Sequence, residues 1–501
     1  MRNVLIIFLI LTASTLAYAH VGSADAFYEG NAGPYHLFVT VRLPNVIPGI
    51  AEIEMRSDSP DVESIQVVPL RLTGPGSDLP PTPDIAKQST EDPQFFVSKL
   101  WFMEFGSMQV RMAVNGSKGK GVLSIPIASF TRQSLPMALW LRVLLGISVC
   151  ILTVGVVLIP GAIARESTLP PGKALPTVNK RRGWFAMALG LLVAFALLYQ
   201  NKTEWNLEAS TYKSYVDLLK PPKAEAKLVG GDRLVIRPAD KLLLPIVGQD
   251  GMSREVKMDE LIPDHGHLMH LFVISMPRMD KMWHLHPDRA DSDSFAQKLP
   301  SMPAGQYEVF ADVVDKNGFP WTMVGNVNLP QINGAALVGD DSEWQGAQLK
   351  APLIDSRIAQ LPDGARMVWE RSDVPIKANA PMSFKFHVET KDGSPAHELE
   401  PYMGMAAHAE IVCSDLSVFA HIHPNGSVPM AALDMAQAGL MAHSSSGASG
   451  MPMNMDMGSS GPISPEFKFP YGFPHAGDYR IFIQIKRSGQ VQSAAFDAHV
   501  Q

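Results

Sequence analysis

Two apolar segments near the middle of the chain limit the folds that are open to it. The run from Met137 to Ile163 is long enough to cross a bilayer as a helix, and a shorter run extends from Trp184 to Tyr199. Aromatic residues bracket the second run, as they do at membrane interfaces. The sequence therefore predicts two transmembrane helices, over residues 136–163 and 183–200.

The basic loop between these segments sets their orientation. Residues 164–182 contain five Lys or Arg side chains and one acid, Glu166. Cytoplasmic loops carry such an excess, so the flanking parts of the chain are expected on the other side of the membrane. The N-terminus agrees, because an apolar run followed by Ala17-Tyr18-Ala19 is typical of a cleaved signal peptide over residues 1–19. An uncleaved anchor is the alternative. We expect a bacterial inner-membrane protein whose soluble domains lie in the periplasm.

Composition indicates that the soluble parts are built from strands. The chain has 501 residues, of which 40 are proline and 39 are glycine, and these favour short strands and turns over long helices. The predicted fold is mainly β, with three Ig- or cupredoxin-like β-sandwich domains outside the membrane, over residues 20–135, 223–335 and 345–501. Residues 201–222 are predicted to form an amphipathic helix at the membrane surface. The net charge of −7 and the absence of a long basic run leave no nucleic acid among the expected partners.

The second and third domains share an internal repeat. The phrase His284-Leu-His286-Pro287 returns as His421-Ile-His423-Pro424, and a further histidine precedes each copy, His270 by 14 residues and His408 by 13. A Gly-x-Tyr sequence then begins a later strand in each copy, at Gly305 and at Gly477. The pattern predicts a duplicated domain whose second copy carries a low-complexity insertion over residues 431–464.

Each copy of the repeat is a candidate metal site. Residues i and i+2 of a strand point to the same face, and a hairpin at 277–281 or 414–416 would bring the preceding histidine back beside the pair. The sequence thus predicts one site from His270, His284 and His286 and another from His408, His421 and His423. Imidazole clusters suit copper, zinc or nickel. The alternative is a non-metal envelope scaffold in which the histidines serve as hydrogen-bond donors in the cores.

Methionines favour copper among these metals. The insertion contains a series in which every second residue is methionine. A second, shorter methionine motif precedes the second histidine cluster, at positions where the first copy has histidines. Thioether is a soft ligand that selects Cu(I), so copper is the expected metal, with zinc as an alternative. The residues concerned are Met451, Met453, Met455 and Met457 in the insertion, and Met403 and Met405 opposite His265 and His267.

A third candidate site lies at the predicted mature N-terminus. Cleavage after Ala19 would leave the α-amino group and imidazole of His20 free to chelate one ion, with His36 as a further ligand. Such a site would suit a copper oxidase, which stays open as an alternative. The sequence contains no nucleophilic triad, phosphate loop or dinucleotide motif, and it favours a binding protein over an enzyme. Its two cysteines, Cys150 and Cys413, are too few for a disulfide scaffold and are not expected to meet.

The histidine and methionine ligands, the sandwich-like strands and the predicted start at His20 resemble the periplasmic copper-resistance proteins of the cupredoxin-like sandwich type. The Gly-x-Tyr strand beside a His-rich hairpin also resembles the YtkA-like secreted domains, which are often found near heavy-metal efflux systems. The resemblance covers residues 223–335 and 365–501, and more weakly residues 20–135. It implies copper buffering, delivery or resistance beside the membrane, with heavy-metal transport or efflux proteins as partners. The repeated His-x-His-Pro phrase is not the defining signature of either family, so the ligand assignments rest on this sequence.

Overall fold

The structure of the protein is a computed structural model. It describes residues 25–131, 133, 135–170, 172–217, 220–245, 253–349, 357–444 and 463–501. These residues form a mainly β protein with sandwich-like sheets and two long apolar helices, as the sequence predicts. They separate into two compact units, of which one contains the β-domains and the other is residues 132–217. The predicted ligands His20, Met451, Met453, Met455 and Met457 lie outside the described residues.

The first β-domain consists of two antiparallel sheets. Their inward-facing side chains, including Tyr35, Ile53 and Val110, form one apolar core. The order is β1-β2-β3-β7-β6 in one sheet and β5-β4-β8-β9 in the other. The strands are β1 (Ala26–Ala32), β2 (Tyr35–Arg42), β3 (Gly49–Ser57), β4 (Val62–Arg71), β5 (Asp84–Ile85), β6 (Lys87–Gln88), β7 (Phe95–Phe102), β8 (Gly106–Gly116) and β9 (Gly119–Ser129).

Two helices form the second unit. Helix α1 covers Leu139–Glu166 and helix α2 covers Thr177–Asp217, and both are long and apolar enough to cross a membrane. The second differs from the prediction, because the expected span and the expected surface helix form one continuous element of 41 residues. The polar residues from Gln200 to Glu204 separate the two apolar stretches but include no proline, so the helix continues through them. The described part of the helix reaches Asp217, and Pro221 follows four residues later in the sequence.

The second β-domain contains the first copy of the repeat. Its largest sheet has the order β14-β19-β15-β16-β21, with β20 paired to β19, and β10-β11-β18-β17 and β12-β13 form smaller sheets. The strands are β10 (Ala224–Val229), β11 (Arg233–Pro238), β12 (Leu242–Pro245), β13 (Ser253–Val256), β14 (Leu261–Ile262), β15 (His270–Met276), β16 (Lys281–Leu285), β17 (Asp288–Arg289), β18 (Phe295–Lys298), β19 (Gly305–Asp315), β20 (Pro320–Leu329) and β21 (Ser342–Gln345), with a 3₁₀ turn at Met258–Glu260.

The third β-domain contains the second copy. One sheet has the order β22-β23-β24-β28, and the other has the order β25-β29-β26-β27 with β30 paired to β29. The elements are β22 (Ile358–Gln360), β23 (Arg366–Glu370), β24 (Met382–Glu389), β25 (Leu399–Glu400), β26 (His408–Cys413), β27 (Phe419–Ile422), helix α3 (Met430–Ser444), β28 (Glu466–Tyr471), β29 (Gly477–Arg487) and β30 (Gln490–Val500).

Strand order confirms the internal repeat. The series β14-β19-β15-β16 of the second domain matches β25-β29-β26-β27 of the third, and each copy adds one more strand beside its long central strand. Both predicted hairpins are present, since β15 pairs with β16 and β26 pairs with β27. The registers also agree, because His270 lies opposite Asp312 and the equivalent His408 lies opposite Gln484.

The two repeated sheets pack face to face. Phe310 and Phe419 stack with ring centroids 4.2 Å apart and 6° between their planes, and Trp344 meets the Phe482 ring at 5.4 Å. The buried members of this shared core are Phe272, Ile274, Met279, Met282, Phe310, Val412, Phe419 and Phe482. The two domains therefore have a common apolar interface in addition to their own cores.

The first domain holds the chain that follows the second His-x-His-Pro phrase. The amide of Glu29 donates to the Asn425 carbonyl at 2.9 Å, and the amide of Ser427 donates to the Phe27 carbonyl at 3.0 Å. Leu433 of α3 then packs into the core of the first domain. These contacts fix the start of the insertion on a neighbouring domain.

We expect the substitution Phe310→Ala to loosen the interface between the repeats. Removing a buried, stacked ring leaves a cavity and destabilises a protein by about 3–5 kcal/mol. Hydrogen exchange should then accelerate in β15 and β26, where the two sheets meet. The matched control is Phe467→Ala, which removes a ring buried in the third domain's own core. Equal acceleration of β15 and β26 in both variants would contradict the role assigned to Phe310.

Candidate metal centre

Two tight turns place the first histidines of the centre. Asp264 and His267 exchange backbone hydrogen bonds of 2.8 and 3.0 Å around His265-Gly266, and Tyr402 and Met405 do the same around Met403-Gly404. Both central residues of each turn have positive φ, 51° and 87° in the first and 49° and 82° in the second. This is the geometry of two-residue hairpin turns, in which glycine is favoured because it has no Cβ. The turns bring His265 and Met403 together, and a ring nitrogen of His265, Nδ1, donates to the Met403 carbonyl at 2.8 Å.

The first ligand group consists of His270, His284 and His286, the predicted first site. One ring nitrogen of each lies within 4.8 Å of one from each of the others. We call this group trio 1. His270 begins β15 and His284 lies on the paired strand β16, while His286 follows directly after that strand. All three rings are almost completely buried.

Hydrogen bonds to oxygen atoms set the tautomers of trio 1. His270 donates from Nε2 to the Asp264 carbonyl at 3.1 Å, and His284 donates from Nδ1 to Oε1 of Gln484 at 2.9 Å. His286 donates from Nδ1 to the carboxylate of Asp341 at 3.0 Å. A neutral imidazole has one N–H, so the second nitrogen of each ring is left with a lone pair. Such outer hydrogen bonds are the usual way of orienting a metal-binding imidazole.

The free nitrogens of trio 1 face one another. Nδ1 of His270 and Nε2 of His284 are 3.1 Å apart, and Nε2 of His286 has no hydrogen-bond partner in the described part of the chain. Two lone pairs at this separation repel unless a cation lies between them. Two nitrogens on one tetrahedral ion lie about 3.3 Å apart at a metal–nitrogen bond of about 2.0 Å. Trio 1 is therefore arranged as a metal-binding set.

The second ligand group takes residues from both repeats. His265 of the second domain joins His408 and His423 of the third, again with ring nitrogens within 4.8 Å of one another. We call this group trio 2. Nε2 of His265 lies 3.1 Å from Nε2 of His423, and neither ring nitrogen of the buried His408 finds a partner among the residues described. Because His265 crosses the interface, this set exists only when the two repeats are packed together.

His421 lies between the two trios. Its ring centroid is 4.7 Å from His423 and 5.6 Å from His408 in trio 2, and 5.2 Å from His270 in trio 1. The prediction placed it with His408 and His423, whereas the tighter group contains His265 in its place. Nδ1 of His421 is 3.6 Å from the carboxylate of Asp312, and its Nε2 is unpartnered within the described ranges.

His267 completes a cluster of eight imidazoles. It stacks on His286 with centroids 3.9 Å apart and is 3.3 Å from the carboxylate of Asp340. The cluster consists of His265, His267, His270, His284, His286, His408, His421 and His423. The two predicted sites thus form one continuous body of imidazoles at the interface of the repeats.

Burial favours the neutral form of six imidazoles in the cluster. Desolvation lowers the pKa of His270, His284, His408, His421 and His423 well below the ordinary histidine value, and neighbouring imidazoles lower it further. The pKa of His286 is lowered by burial against the opposing effect of Asp341. Metal ions bind the neutral ring, so burial prepares these nitrogens for coordination at neutral pH.

Three largely buried carboxyl groups border the cluster. Burial raises the pKa of Asp264, against the opposing effect of the His265 charge. Desolvation raises the pKa of Asp312 to about 7, against a hydrogen bond from Thr322, and the Asp264 charge adds to the rise. Burial, followed by the Asp312 charge, raises the pKa of Glu410 well above its usual range. Both oxygens of Glu410 are without partners among the described residues, and one is 3.9 Å from Nδ1 of His284.

A cavity of ≈ 180 Å³ reaches the cluster from one side. His270, His421 and His423 contribute to its wall, together with Asp264 and Asp312. The rest of the wall is largely apolar, with Phe130, Leu268, Trp321 and Phe419 among its residues. The cavity gives both trios a common neighbouring space that can hold several water molecules.

The other predicted ligands lie elsewhere or take a different part. His36 is on β2 and contacts Asn31 at 2.9 Å and Glu29 at 3.1 Å, with no histidine of the cluster among its contacts in the described chain. Met403 contacts the cluster through its backbone carbonyl, which accepts a hydrogen bond from His265, and Met405 closes the same turn by backbone hydrogen bonds to Tyr402. The N-terminal site with His20 and the methionines of the insertion fall outside the described residues.

Sequence reasoning missed the residues that orient the imidazoles. Asp264, Asp341 and Gln484 accept the hydrogen bonds that set the tautomers of trio 1, and Asp312 faces His421. Gln484 and Asp312 occupy equivalent positions opposite the first histidine of each repeat, so the register of the duplicated domain is the one signal that connects them. Their contacts across the interface had no signal in the sequence.

Comparisons with known proteins add little to this description. A family model described as a domain of unknown function (DUF8832) matches residues 359–501, which include the second copy of the repeat. No curated protein matches the chain.

Solved structures give only remote likenesses. The ICAM-5 D1–D4 ectodomain fragment is 8% identical over 94% of this chain and 77% of its own, with a TM-score of 0.15. Dimeric latent PorU from Porphyromonas gingivalis is 10% identical over 95% of this chain and 34% of its own, with a TM-score of 0.15. MtrC from Shewanella baltica OS185 is 9% identical over 65% of this chain and 72% of its own, also at 0.15. Scores this low carry no argument about fold or function.

We expect the metal-free protein to lose stability as the pH falls below about 6.5. Histidines in the unfolded chain bind protons near the ordinary imidazole pKa of about 6.5. In the folded protein, burial lowers the pKa of six histidines of the cluster: His270, His284, His286, His408, His421 and His423. The unfolded state therefore takes up more protons in acid, and each such proton changes the stability by about 1.4 kcal/mol per pH unit. Asp264, Asp312 and Glu410 act in the opposite direction, because their raised pKa values make the folded state bind protons first.

Six histidines with a lowered pKa outnumber these three carboxyl groups, so the net effect is a loss of stability in acid. Chemical denaturation of chelator-treated protein between pH 7.5 and pH 5 would measure it. A stability that is constant or higher at pH 5 would contradict the neutral, buried state of the cluster.

Proposed function

We propose that this protein is a membrane-anchored metal-binding protein that buffers or delivers copper through the histidine cluster. The single observation that carries the proposal is trio 1, in which three rings donate outwards to oxygen and leave their second nitrogens close together. Trio 2 provides a second set of the same kind. The sandwich domains serve as the frame that holds both sets.

The spacing of the nitrogens favours metal binding over the scaffold alternative. Histidines that only stabilise a core would be spread apart or bonded through both ring nitrogens. Here the nitrogens of each trio lie within 4.8 Å, and His408 has two buried nitrogens without partners in the described structure. An unpaired buried polar group costs about 1–3 kcal/mol, which a bound ion would offset.

Copper is the proposed metal because of the donor types available. Imidazole binds copper and zinc alike, but the thioethers in the sequence of residues 451–457 favour Cu(I). The exchange of His265 and His267 for Met403 and Met405 at equivalent turn positions also combines the two donor types that copper accepts. Zinc is the alternative metal, and the titration below separates the two.

The place of action follows from the helices and the charge pattern. Two helices are long and apolar enough to cross a membrane, and the loop between them is basic. We propose that the helices anchor the protein in a bacterial inner membrane and that the cluster works on the periplasmic side. The proposed partners are heavy-metal transport or efflux proteins that exchange the ion with the cluster.

We expect the full-length protein in detergent to bind two equivalents of copper, tighter than micromolar, after removal of metal by a chelator. The double variant His284→Ala/His286→Ala should bind one equivalent, because it removes two of the three ligands of trio 1. The variant His408→Ala/His423→Ala should also bind one, through loss of trio 2. Equilibrium titration with Cu(I), Cu(II) and Zn(II) under competition with a chelator measures each stoichiometry.

A surface histidine provides the control for that titration. His499 lies on β30 with its side chain 63% exposed and paired with Asp478, so His499→Ala should leave two equivalents bound. Absence of binding tighter than micromolar in the unaltered protein would refute the proposed function. A preference for Zn(II) over both copper ions would retain the site and reject the metal.

Bound metal is expected to stabilise the packing of the two repeats. An ion that binds only the folded state adds about 4 kcal/mol when its free concentration is 1,000-fold above Kd. The unfolding temperature should therefore rise when copper is added and fall back to its metal-free value when a chelator is added. In the Phe310→Ala variant, bound metal should supply a larger share of the unfolding temperature. The substitution weakens the packing of the repeats, and an ion in trio 2 would hold them together because His265 comes from the other repeat. Unfolding temperatures that do not respond to metal in either protein would contradict this coupling.

A further inference from the structure

We infer that the two trios form one binuclear centre in which His421 supplies a fourth nitrogen between the ions. This inference rests on the proposed function and extends it. The proposed function requires two bound ions, and the inference adds that their sites form one connected centre. The chemical class of the ligand is a pair of first-row transition-metal ions that accept neutral imidazole, of which Cu(II) is the probe of choice.

The first support is the short distance between the trios. The ring of His265 in trio 2 is 6.2 Å from the ring of His270 in trio 1, and the two rings are nearly perpendicular. Metal–nitrogen bonds of about 2.0 Å place each ion close to its ligand ring, so the two ions lie on the order of 10 Å apart or less. Ions at this separation share one electrostatic environment.

The second support is the position of His421. Its ring meets members of both trios, with centroids 5.7 Å from His284 and 5.6 Å from His408. Nδ1 approaches the carboxylate of Asp312 at 3.6 Å, and the buried Nε2 has no partner among the described residues. A buried imidazole with an unused nitrogen between two three-nitrogen sets is suited to complete the coordination of a neighbouring ion.

The third support is that the trios are chemically incomplete. Each has three nitrogens, whereas tetrahedral metal sites have four ligands. The cavity of ≈ 180 Å³ is bordered by His270 of trio 1, His423 of trio 2 and His421. A water molecule or an incoming ligand in this shared cavity would be next to both trios, as a single binuclear centre requires.

Electron paramagnetic resonance of the full-length protein in detergent tests the inference. With two equivalents of Cu(II), the spectrum should show spin–spin coupling, with broadened lines and a half-field transition or an intensity below that of two isolated ions. The double variant His408→Ala/His423→Ala with one equivalent should give an uncoupled spectrum. Two bound Cu(II) ions whose spectrum shows neither line broadening nor a half-field transition, at the full intensity of isolated centres, would overturn the binuclear arrangement while leaving the proposed function intact.

The substitutions His421→Phe and His421→Gln test the fourth nitrogen. Phenylalanine keeps the ring packing against Phe272, whose centroid is 5.1 Å from His421, and glutamine keeps a polar group. Both should still bind two ions through the trios, but the copper hyperfine splitting should change because one nitrogen is lost. Spectra identical to those of the unaltered protein would overturn the role of His421. Failure of the unaltered protein to bind copper would reject the proposed function itself.

Discussion

The packing of one repeated sheet against the other is the contact on which the centre depends. The aromatic interface, with Phe310 stacked on Phe419, removes water from the surfaces that carry the histidines. At the histidine end of this interface, side chains from the two repeats meet directly, as in the 3.1 Å approach of His265 to His423. Dehydration makes a charged imidazole costly and an unpaired one unfavourable. An ion bound by the lone pairs would satisfy the unpaired nitrogens, so metal binding would favour the packed interface.

The two repeats share a backbone but differ in chemistry. Asp312 in the second domain corresponds to Gln484 in the third, and each lies opposite the first histidine of its own copy. Each also reaches across the interface to the other copy's His-x-His pair, Gln484 to His284 and Asp312 to His421. A symmetric frame therefore gives its two halves different surroundings. The amide accepts a hydrogen bond without charge, whereas the carboxyl can change charge near neutral pH, since burial raises its pKa to about 7.

Much of the fold could be predicted from local patterns. Apolar run length identified both helices that are long and apolar enough to cross a membrane, and the recurring His-x-His-Pro phrase identified the duplicated domain and its hairpins. The sequence could not predict that the two copies face each other, because that depends on the shape of two assembled sheets. For this reason His265 was not grouped with His408 and His423, although all three were recognised as candidates. The sequence pattern predicts two helices within residues 183–222, divided at residue 200, whereas α2 is continuous there, because a change from apolar to polar side chains does not by itself end a helix.

Asp264 connects the centre to the insertion that follows it. Its backbone carbonyl accepts the hydrogen bond from Nε2 of His270, and its carboxylate accepts the amide of Ala431 in the first turn of α3 at 2.6 Å. Helix α3 in turn packs through Leu433 into the first domain, and the chain beyond it enters the methionine-rich sequence. A carboxylate at a helix N-terminus stabilises the helix, so the position of α3 and the orientation of a ligand in trio 1 are set by one residue. Any displacement of α3 against the first domain would thus be transmitted to His270 through one buried residue, by way of its side chain and its backbone carbonyl.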